Sequence, residues 1–343
     1  MSFHLNQRKD PRPRGGAKTN RAMSLKGVKM SHLKDIQSYD ELTHKQWIAL
    51  GTKCGGLGNV KGVLSGEKEV LVRDVAVESI RLFDKNGRRI PPHNLRANVC
   101  DPNRNFHIVQ PNIVLADRFN RLVETLGIES QGCSIGMSGL DFEKEVALTK
   151  DVFKANELLK TLGEGYPILL PQMDLTADYG TILETTVLPA VKRAYTKEFK
   201  KFMGGRKFAN YRNGDLAGKV TIIEGVRHER IIERLKHGPV IGLCFPVALQ
   251  GYSVQAQREQ MATLPEQFSL AGVETLFAAM MYPDVMARDY NTPGYDLSAL
   301  QWQELDCSLD FWALDDRLEF DARALLGHAY GHCSGGLLFV RPR

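Results

Sequence analysis

Several features that define common protein classes are missing from this 343-residue sequence. Its six cysteines are widely scattered and include no C-x-x-C pair, which argues against a disulfide framework and favours reduced thiols in the cytoplasm. The first residues hold no apolar stretch of signal-peptide length, and no apolar run approaches the roughly 18 residues of a membrane-spanning helix. The sequence therefore predicts a soluble, cytoplasmic protein without a membrane partner.

The usual nucleotide-binding loops are also missing. Residues 51–62 hold five glycines and two lysines, but they follow neither G-x-x-x-x-G-K-[ST] nor G-x-G-x-x-G. No apolar strand precedes them, as a phosphate-binding loop requires. This segment is therefore interpreted as a flexible connection rather than a phosphate site, and the sequence leaves the cofactor unknown.

What the sequence does contain is an uneven distribution of charge. Residues 1–30 carry eight Lys and Arg against one Asp, and residues 192–212 carry eight against one Glu, so each segment has a net charge of +7. The whole chain is only +5, and residues 284–321 alone contribute −8. Because clustered basic residues attract polyanions whatever the net charge, the pattern points to an anionic partner.

The first basic segment is predicted to be a disordered arm over residues 1–33. It has few large apolar residues, so it cannot bury enough surface to offset the entropy lost on ordering. Such an arm is expected to bind the phosphates of RNA or DNA. Two alternatives are that it is a solubilising tail, or that it covers the acidic stretch of the same or a neighbouring chain. The arm residues expected to contact nucleic acid are Arg8, Lys9, Arg12, Arg14, Lys18 and Arg21.

In the second basic segment, aromatic residues lie between the basic ones. Tyr195, Phe199 and Phe202 fall on one side of a predicted helix and are expected in the core, with the lysines as its solvated face. Phe208 and Tyr211 lie beyond that helix, where they could stack on bases. The residues expected to contact nucleic acid here are Lys200, Lys201, Arg206, Lys207, Phe208, Tyr211 and Arg212.

Residues 132–136 match G-x-S-x-G, the motif in which a sharp turn between strand and helix exposes a nucleophile. The preceding residues do not form a convincing strand, so an ordinary glycine-containing loop is the alternative. A nucleophilic Cys133 or Ser134 also needs a base, which the fold would have to supply from His228, His237 or His328. These residues make a hydrolase the alternative function.

A third group of residues has metal-binding chemistry. His328 and His332 are spaced i, i+4, and Cys333 follows directly, so on a helix the two imidazoles would share a face. Four glycines in residues 326–336 argue against that helix and favour ordinary packing or hydrogen bonding. The cluster is therefore a candidate metal or catalytic group only.

The apolar patterns predict an α/β or α+β fold with a mixed sheet and flanking helices. Residues 69–73 and 75–83 are predicted strands, and Asn86-Gly87 predicts a hairpin turn after them. Apolar residues at helical spacing predict several amphipathic helices, one of them over residues 119–126, and apolar runs predict strands at 166–170, 240–245 and 337–340. Two strands around the helix 227–237 predict a parallel strand–helix–strand unit. The predicted organisation is a disordered arm over residues 1–33, a mixed β/α region over 34–164 and an α/β region over 165–343.

The sequence favours a cytoplasmic protein that binds RNA or DNA through the arm and the second basic segment. The hydrolase described above is the alternative from another class. A structural subunit that self-assembles through its basic and acidic surfaces is a third reading. No motif decides among them, because the fold by itself does not determine function.

Overall fold

The computed structural model describes residues 44–68, 81–127, 132–199, 207–303, 306–314 and 316–342. Contacts divide the chain into two units, residues 1–80 and 81–343. The predicted arm lies outside the described residues, as do most of the strands predicted between residues 69 and 83. Within the described ranges, no helix combines the length and apolar character needed to cross a membrane.

The described part of the first unit consists of two helices, α1 (His44–Lys53) and α2 (Leu57–Leu64). The predicted flexible connection over residues 51–62 is therefore wrong for most of its length, because only a short turn separates the helices. Gly55 and Gly56 have positive φ angles in that turn. Glycine costs a helix only about 1 kcal/mol relative to alanine, so the glycines inside α2 do not prevent it from forming.

The second unit combines helices with short strands. Its α-helices are α3 (Leu115–Leu126), α4 (Gly139–Lys154), α5 (Tyr179–Ile182), α6 (Leu188–Phe199), α7 (His228–His237), α8 (Val254–Glu259) and α9 (Val273–Met281). Its strands are β1 (Cys133–Ser134), β2 (Tyr166–Leu170), β3 (Gln172–Met173), β4 (Lys207–Asn210), β5 (Val220–Ile222), β6 (Val240–Phe245), β7 (Phe268–Leu270), β8 (Gly294–Asp296), β9 (Leu300–Trp302), β10 (Cys307–Ala313), β11 (Arg317–Leu325), β12 (Cys333–Gly335) and β13 (Leu337–Val340).

A four-stranded antiparallel sheet, ordered β2-β6-β13-β7, lies at the centre of the unit. Successive side chains of a strand point to opposite faces, and here both faces are buried. Leu338 and Val340 of β13 join one cluster of buried apolar residues, while Leu337 and Phe339 join another. This position between two clusters explains why β13 and β6 are continuous apolar runs.

The second large sheet has five strands, ordered β12-β8-β10-β11-β4. It is mixed, because β12–β8 and β11–β4 are parallel whereas β8–β10 and β10–β11 are antiparallel. One face is apolar: Tyr295, Phe311 and Phe320 are fully buried in the larger apolar cluster. The other face carries the polar side chains described in the next subsection.

These elements confirm an α/β fold in which a mixed sheet has flanking helices. The hairpin turn at Asn86-Gly87 is present, with Gly87 at φ 75° and the Ile90 amide donating to the Leu82 carbonyl. The predicted parallel strand–helix–strand unit is wrong. Its strands β5 and β6 belong to different sheets, and each is antiparallel to its neighbours.

The boundary predicted between residues 164 and 165 lies inside the second unit. Residues on both sides of it contribute to the same buried clusters; Phe142 and Val146 of α4, for example, pack with Ile168 of β2. The three-part organisation of the chain stays a prediction.

Candidate active site on the carboxylate face

The polar face of the five-stranded sheet arises from the alternation of side chains along β11 and along β10 from Leu309 onward. In β11, Leu318, Phe320 and Ala322 point into the core, so the residues between them point to the other face. That face, here called the carboxylate face, comprises Asp296 of β8, Asp310 and Trp312 of β10, and Arg317, Glu319, Asp321 and Arg323 of β11.

Three aspartates form a row across this face. Asp310 lies directly opposite Asp296 on one side and opposite Asp321 on the other. Directly opposed side chains of neighbouring strands project to the same face, with Cβ atoms about 4.5–5.5 Å apart. The sheet register therefore brings together carboxyl groups that are up to 25 residues apart in the sequence.

Asp296 is held by a buried glutamine. The Gln257 amide donates from Nε2 to Asp296 Oδ2 at 2.8 Å and to the Tyr252 carbonyl at 2.9 Å, and its Oε1 accepts from the Ser298 hydroxyl. A Cβ atom on Gly335, which pairs with Asp296, would lie only 1.9 Å from Gln257 Oε1. Glycine at position 335 thus leaves the space that this glutamine occupies.

Burial raises the pKa of Asp296 to about 7 and that of Asp310 to about 6. Desolvation is the main cause for both, because a buried carboxylate loses its hydration. The Gln257 bond to Asp296 and the Arg323 backbone amide bond to Asp310 at 3.0 Å oppose the rise without cancelling it. The side chain of Asp310 remains 16% exposed, so solvent can reach it.

The other end of the face is an ion-pair network. Glu319 accepts hydrogen bonds from Arg317 Nε at 2.6 Å, Arg323 Nη2 at 2.7 Å and Trp312 Nε1 at 2.9 Å. Burial alone would raise the pKa of Glu319, but these donors lower it to about 2. Asp321 likewise pairs with Arg323, at 3.1 Å, and with Arg212.

A cavity of about 280 Å³ opens beside the two raised aspartates. Trp312, Tyr330 and His332 line it, with the His332 ring 6.3 Å from the Trp312 ring and 5.6 Å from the Tyr330 ring. Burial lowers the pKa of His332, which favours its neutral form. The cavity thus combines two carboxyl groups with aromatic walls.

The predicted group of His328, His332 and Cys333 is only partly assembled. His332 and Cys333 line the cavity, but His328 is exposed, with its ring stacked on Tyr330 at 5.6 Å. Burial raises the pKa of the Cys333 thiol well above its usual value, so the thiolate is disfavoured. In the described part of the chain, no three His, Cys, Asp or Glu residues are grouped so that they could hold a metal ion.

Cys133 and Ser134 lie in β1, paired with β3, beside a separate cavity. Burial raises the pKa of Cys133 to about 12, which is opposite to the shift that activates a thiol nucleophile. The cavity is lined by Gln172, Asp174 and Lys236 among others, and no histidine is among its lining residues. The strand-to-helix turn of a nucleophile elbow is not formed either, because α4 begins only at Gly139.

The second basic segment is described in part. Tyr195 and Phe199 are buried in the core, as predicted from their spacing, with the Tyr195 hydroxyl donating to the Met286 carbonyl at 2.5 Å. Phe202 lies outside the described residues. So do all six predicted contacts of the arm and three of the second segment, Lys200, Lys201 and Arg206.

Among its predicted nucleic-acid contacts, Lys207 and Phe208 lie in β4, at the edge of the five-stranded sheet, and Tyr211 and Arg212 come directly after it. Lys207 is exposed, but Phe208 is half-buried against the core. Tyr211 is 52% exposed, and its hydroxyl donates to Glu319 Oε1 at 3.3 Å. The Arg212 guanidinium is bound to Asp321 at 2.8 Å, so a neighbouring carboxylate already offsets its charge.

The amino-acid sequence predicts only an acidic stretch over residues 284–321, and the carboxylate face emerges from the pairing of the strands. A signal was nevertheless present, since apolar and polar residues alternate through Leu318–Arg323, the pattern of a half-buried strand. Comparison with protein-family models, curated proteins and solved structures found no match to this chain. Function must therefore be inferred from the geometry of the site.

Proposed function

We propose that the carboxylate face is the active site of a hydrolase that cleaves glycosidic bonds with Asp296 and Asp310. The supporting observation is that these two residues are directly opposed on neighbouring strands and line the same cavity. Paired carboxylates are the usual catalytic groups of glycoside hydrolases. Enzymes that retain the configuration of the sugar hold them about 5–5.5 Å apart, close to the cross-strand separation of opposed side chains.

Burial of the two side chains suggests the roles, since both pKa values are raised. Asp296, which is buried and held by the neutral Gln257 amide, is the general acid, and Asp310, whose side chain is 16% exposed, is the nucleophile. An oxygen of Asp310 bonds to the anomeric carbon while the glycosidic C–O bond breaks and the leaving oxygen takes the proton of Asp296. Water then gives a proton to Asp296, and its oxygen displaces Asp310 from the same carbon.

The walls of the cavity fit a neutral sugar. Trp312 and Tyr330 offer flat aromatic surfaces on which the C–H face of a sugar ring can pack. Arg323 and His332 add hydrogen-bonding groups for hydroxyls. Gln257 acts as a positioning residue, because its amide donates to Asp296 but does not line the cavity.

Hydrolysis of a panel of 4-nitrophenyl α- and β-glycosides tests this function. The wild-type chain should release 4-nitrophenol from at least one of them, with net retention of configuration by NMR. Asp310→Asn and Asp296→Asn should each lower kcat about 10²–10⁴-fold, the range of losses for a positioned acid–base or nucleophilic group. Azide should restore turnover to Asp310→Ala by replacing the lost nucleophile, which a purely structural role does not allow.

The matched control is Asp151→Asn, an exposed acid on α4 outside the cavity, which should keep its rate within about twofold. The proposal fails if no glycoside of the panel is cleaved above background. It also fails if Asp310→Asn cleaves at the wild-type rate while remaining folded.

Binding of RNA or DNA stays a second proposal. Cytoplasmic location and self-association through basic and acidic surfaces stay proposals as well. Nucleic-acid binding is favoured by Lys207 in the edge strand β4 and Tyr211 directly after it, both of which are exposed. Removing residues 1–30 should weaken binding to an oligonucleotide and flatten its salt dependence, because fewer counterions are released. Equal affinity and an equal salt slope for the shortened chain would contradict the role of the arm.

A further inference from the structure

A second cavity, of about 260 Å³, is lined by four arginines. Arg227, Arg230 and Arg234 belong to α7 or directly precede it, and Arg341 follows β13. One carboxylate, that of Glu266, is among the lining residues. Four guanidinium groups against one carboxylate give the lining a net positive charge, since arginine stays protonated in proteins.

The arrangement follows from the period of the helix. Residues 227, 230 and 234 are spaced by three and four, so they lie on one side of α7. Arg227 has a structural role, because it donates to the backbone carbonyls of Leu264, Pro265 and Phe268 and is buried. It anchors the loop that carries Glu266 beside the helix.

Arg230 and Arg341 present accessible charges to this cavity, and the half-buried Arg234 lies beside Arg341 and donates to its carbonyl at 3.1 Å. Arg230 donates from Nη1 to Glu266 Oε2 at 2.6 Å, and its side chain is 57% exposed. Arg341 donates from Nη2 to Glu145 at 2.7 Å, and its side chain is 35% exposed. Each guanidinium has further N–H groups in a planar fork, the geometry that matches two oxygens of a phosphate.

The cavity also has an apolar wall. Ile231, Phe268, Val340 and Pro342 lie among the arginines. A ligand that combines an anionic group with a flat, weakly polar body satisfies both parts of such a site, whereas a bare cation or an acid-rich face does not. Nucleotides have this combination of phosphate and base.

We infer that this arginine cavity binds the phosphate group of a nucleotide, either free or within a single strand. Glu266 pairs with two of the arginines, Arg227 at 3.3 Å and Arg230 at 2.6 Å, so a phosphate would compete with its carboxylate. This site does not depend on the proposed glycosidase activity, because the two cavities share no lining residue.

The test is titration calorimetry of the full chain with pyrophosphate, AMP and an oligothymidylate of about 15 nucleotides. The double variant Arg230→Ala/Arg341→Ala should weaken binding at least about tenfold. For the oligonucleotide it should reduce the salt slope by about 0.7, because one phosphate contact is lost. Glu266→Gln should act in the opposite direction and strengthen binding, because it removes the competing carboxylate. This variant keeps the test decisive if the double variant fails to fold.

The matched control is Lys85→Ala/Lys144→Ala, which removes the same charge from exposed positions outside the cavity. It leaves the basic arm unchanged, as the other variants do, and should bind like the wild type. If the arginine and Glu266 variants change the binding of pyrophosphate and AMP only, the natural ligand is a free nucleotide. If they change the binding of the oligonucleotide only, the ligand is a single strand. The inference is overturned if none of the three probes binds, or if both arginine and control variants weaken binding equally.

Discussion

The two ends of the carboxylate face carry the same chemical group in opposite electrostatic states. Asp296 and Asp310, on β8 and β10, have pKa values raised to about 7 and about 6. Glu319, on the next strand, has a pKa lowered to about 2. All three lie on one face of one sheet, and Glu319 is at least as inaccessible as Asp296, so accessibility alone does not explain why its pKa moves in the opposite direction.

The difference is the supply of arginine. In β11 the polar positions alternate between acids and bases, so Arg317 and Arg323 flank Glu319 and donate to it directly. In β8 the position two residues before Asp296 is Gly294, and the donor to Asp296 is the neutral amide of Gln257. Charge-assisted bonds outweigh desolvation at one end, and a neutral bond does not at the other.

The carboxylate face therefore contains carboxyl groups with a structural role at one end and carboxyl groups suited to proton transfer at the other. A paired carboxylate stays ionised and stabilises its arginine partners, but it has no proton to give near neutral pH. A buried carboxyl group with a pKa near 6 or 7 can gain and lose a proton there, which acid–base catalysis requires. The cavity opens at the end with the raised pKa values, as the proposed function demands.

The largest expected change in stability comes from the ion-pair end. Glu319→Gln should lower the free energy of unfolding by about 2–3 kcal/mol at neutral pH, because it removes charge-assisted bonds from Arg317, Arg323 and Trp312. The cost stays below that of breaking a fully buried pair, since both arginines are about a third or more exposed. Urea unfolding provides the measurement.

The loss should also depend on pH. The folded-state pKa of Glu319 is depressed, so its stabilisation is present above the unfolded value near 4.3 and disappears as the pH falls toward 2. Glu157→Gln, at an exposed i, i+3 pair with Lys160, is the control and should change stability by less than about 0.5 kcal/mol. Equal effects of the two variants would remove the distinction between the two ends.

How far the sequence predicts this molecule depends on whether the signal is local. Helical spacing located α3 and α7, and continuous apolar runs located β2, β6 and β13, within a few residues of their observed ends. Pairing was not predictable in the same way. Adjacent strands in the sequence suggested a parallel unit, but β5 pairs with β9, about 80 residues later, which no local pattern reveals.

In the candidate site, too, local sequence patterns predict single residues but not the strand pairing that brings them together. His332 and Cys333 were selected from their residue types, and they do line the cavity. The aspartates that give the cavity its chemistry were recorded only as part of an acidic stretch, because their opposition depends on the register of three strands. The sequence can show alternation, but only the pairing of β8 with β10 brings Asp296 to Asp310.

A smaller effect, of opposite sign, is expected at the end with raised pKa values. Asp296→Asn keeps an oxygen to accept the Gln257 bond but removes the buried charge, so it should stabilise the protein by about 1–3 kcal/mol near pH 8. A raised folded-state pKa means that the wild type loses stability as the pH rises from about 4 to about 7. Near pH 4 the two proteins should therefore be equally stable.

Thermal unfolding across that pH range provides the measurement for Asp296→Asn. Asp321→Asn is the comparison on the same row, and it should destabilise at neutral pH because Asp321 pairs with Arg212 and Arg323. A destabilised Asp296→Asn protein at about pH 8 would mean that Asp296 is ionised and paired there. The assignment of a general acid would then be wrong.

The smallest effect is expected at the rim of the face. Tyr211 is half-exposed, its hydroxyl bond to Glu319 is long at 3.3 Å, and Arg323 lies 6.0 Å from its ring, so Tyr211→Ala should change stability by less than about 1 kcal/mol. Phe208 differs, because it packs against the core and its replacement should destabilise the fold. Tyr211→Ala is thus the variant that tests base stacking without disturbing the sheet.

If this edge binds single strands, the variant should weaken oligonucleotide binding by about 1–3 kcal/mol over a salt series. Unchanged binding, with unchanged stability, would leave the exposed tyrosine without a stacking role and restrict any nucleic-acid contact at this edge to charge.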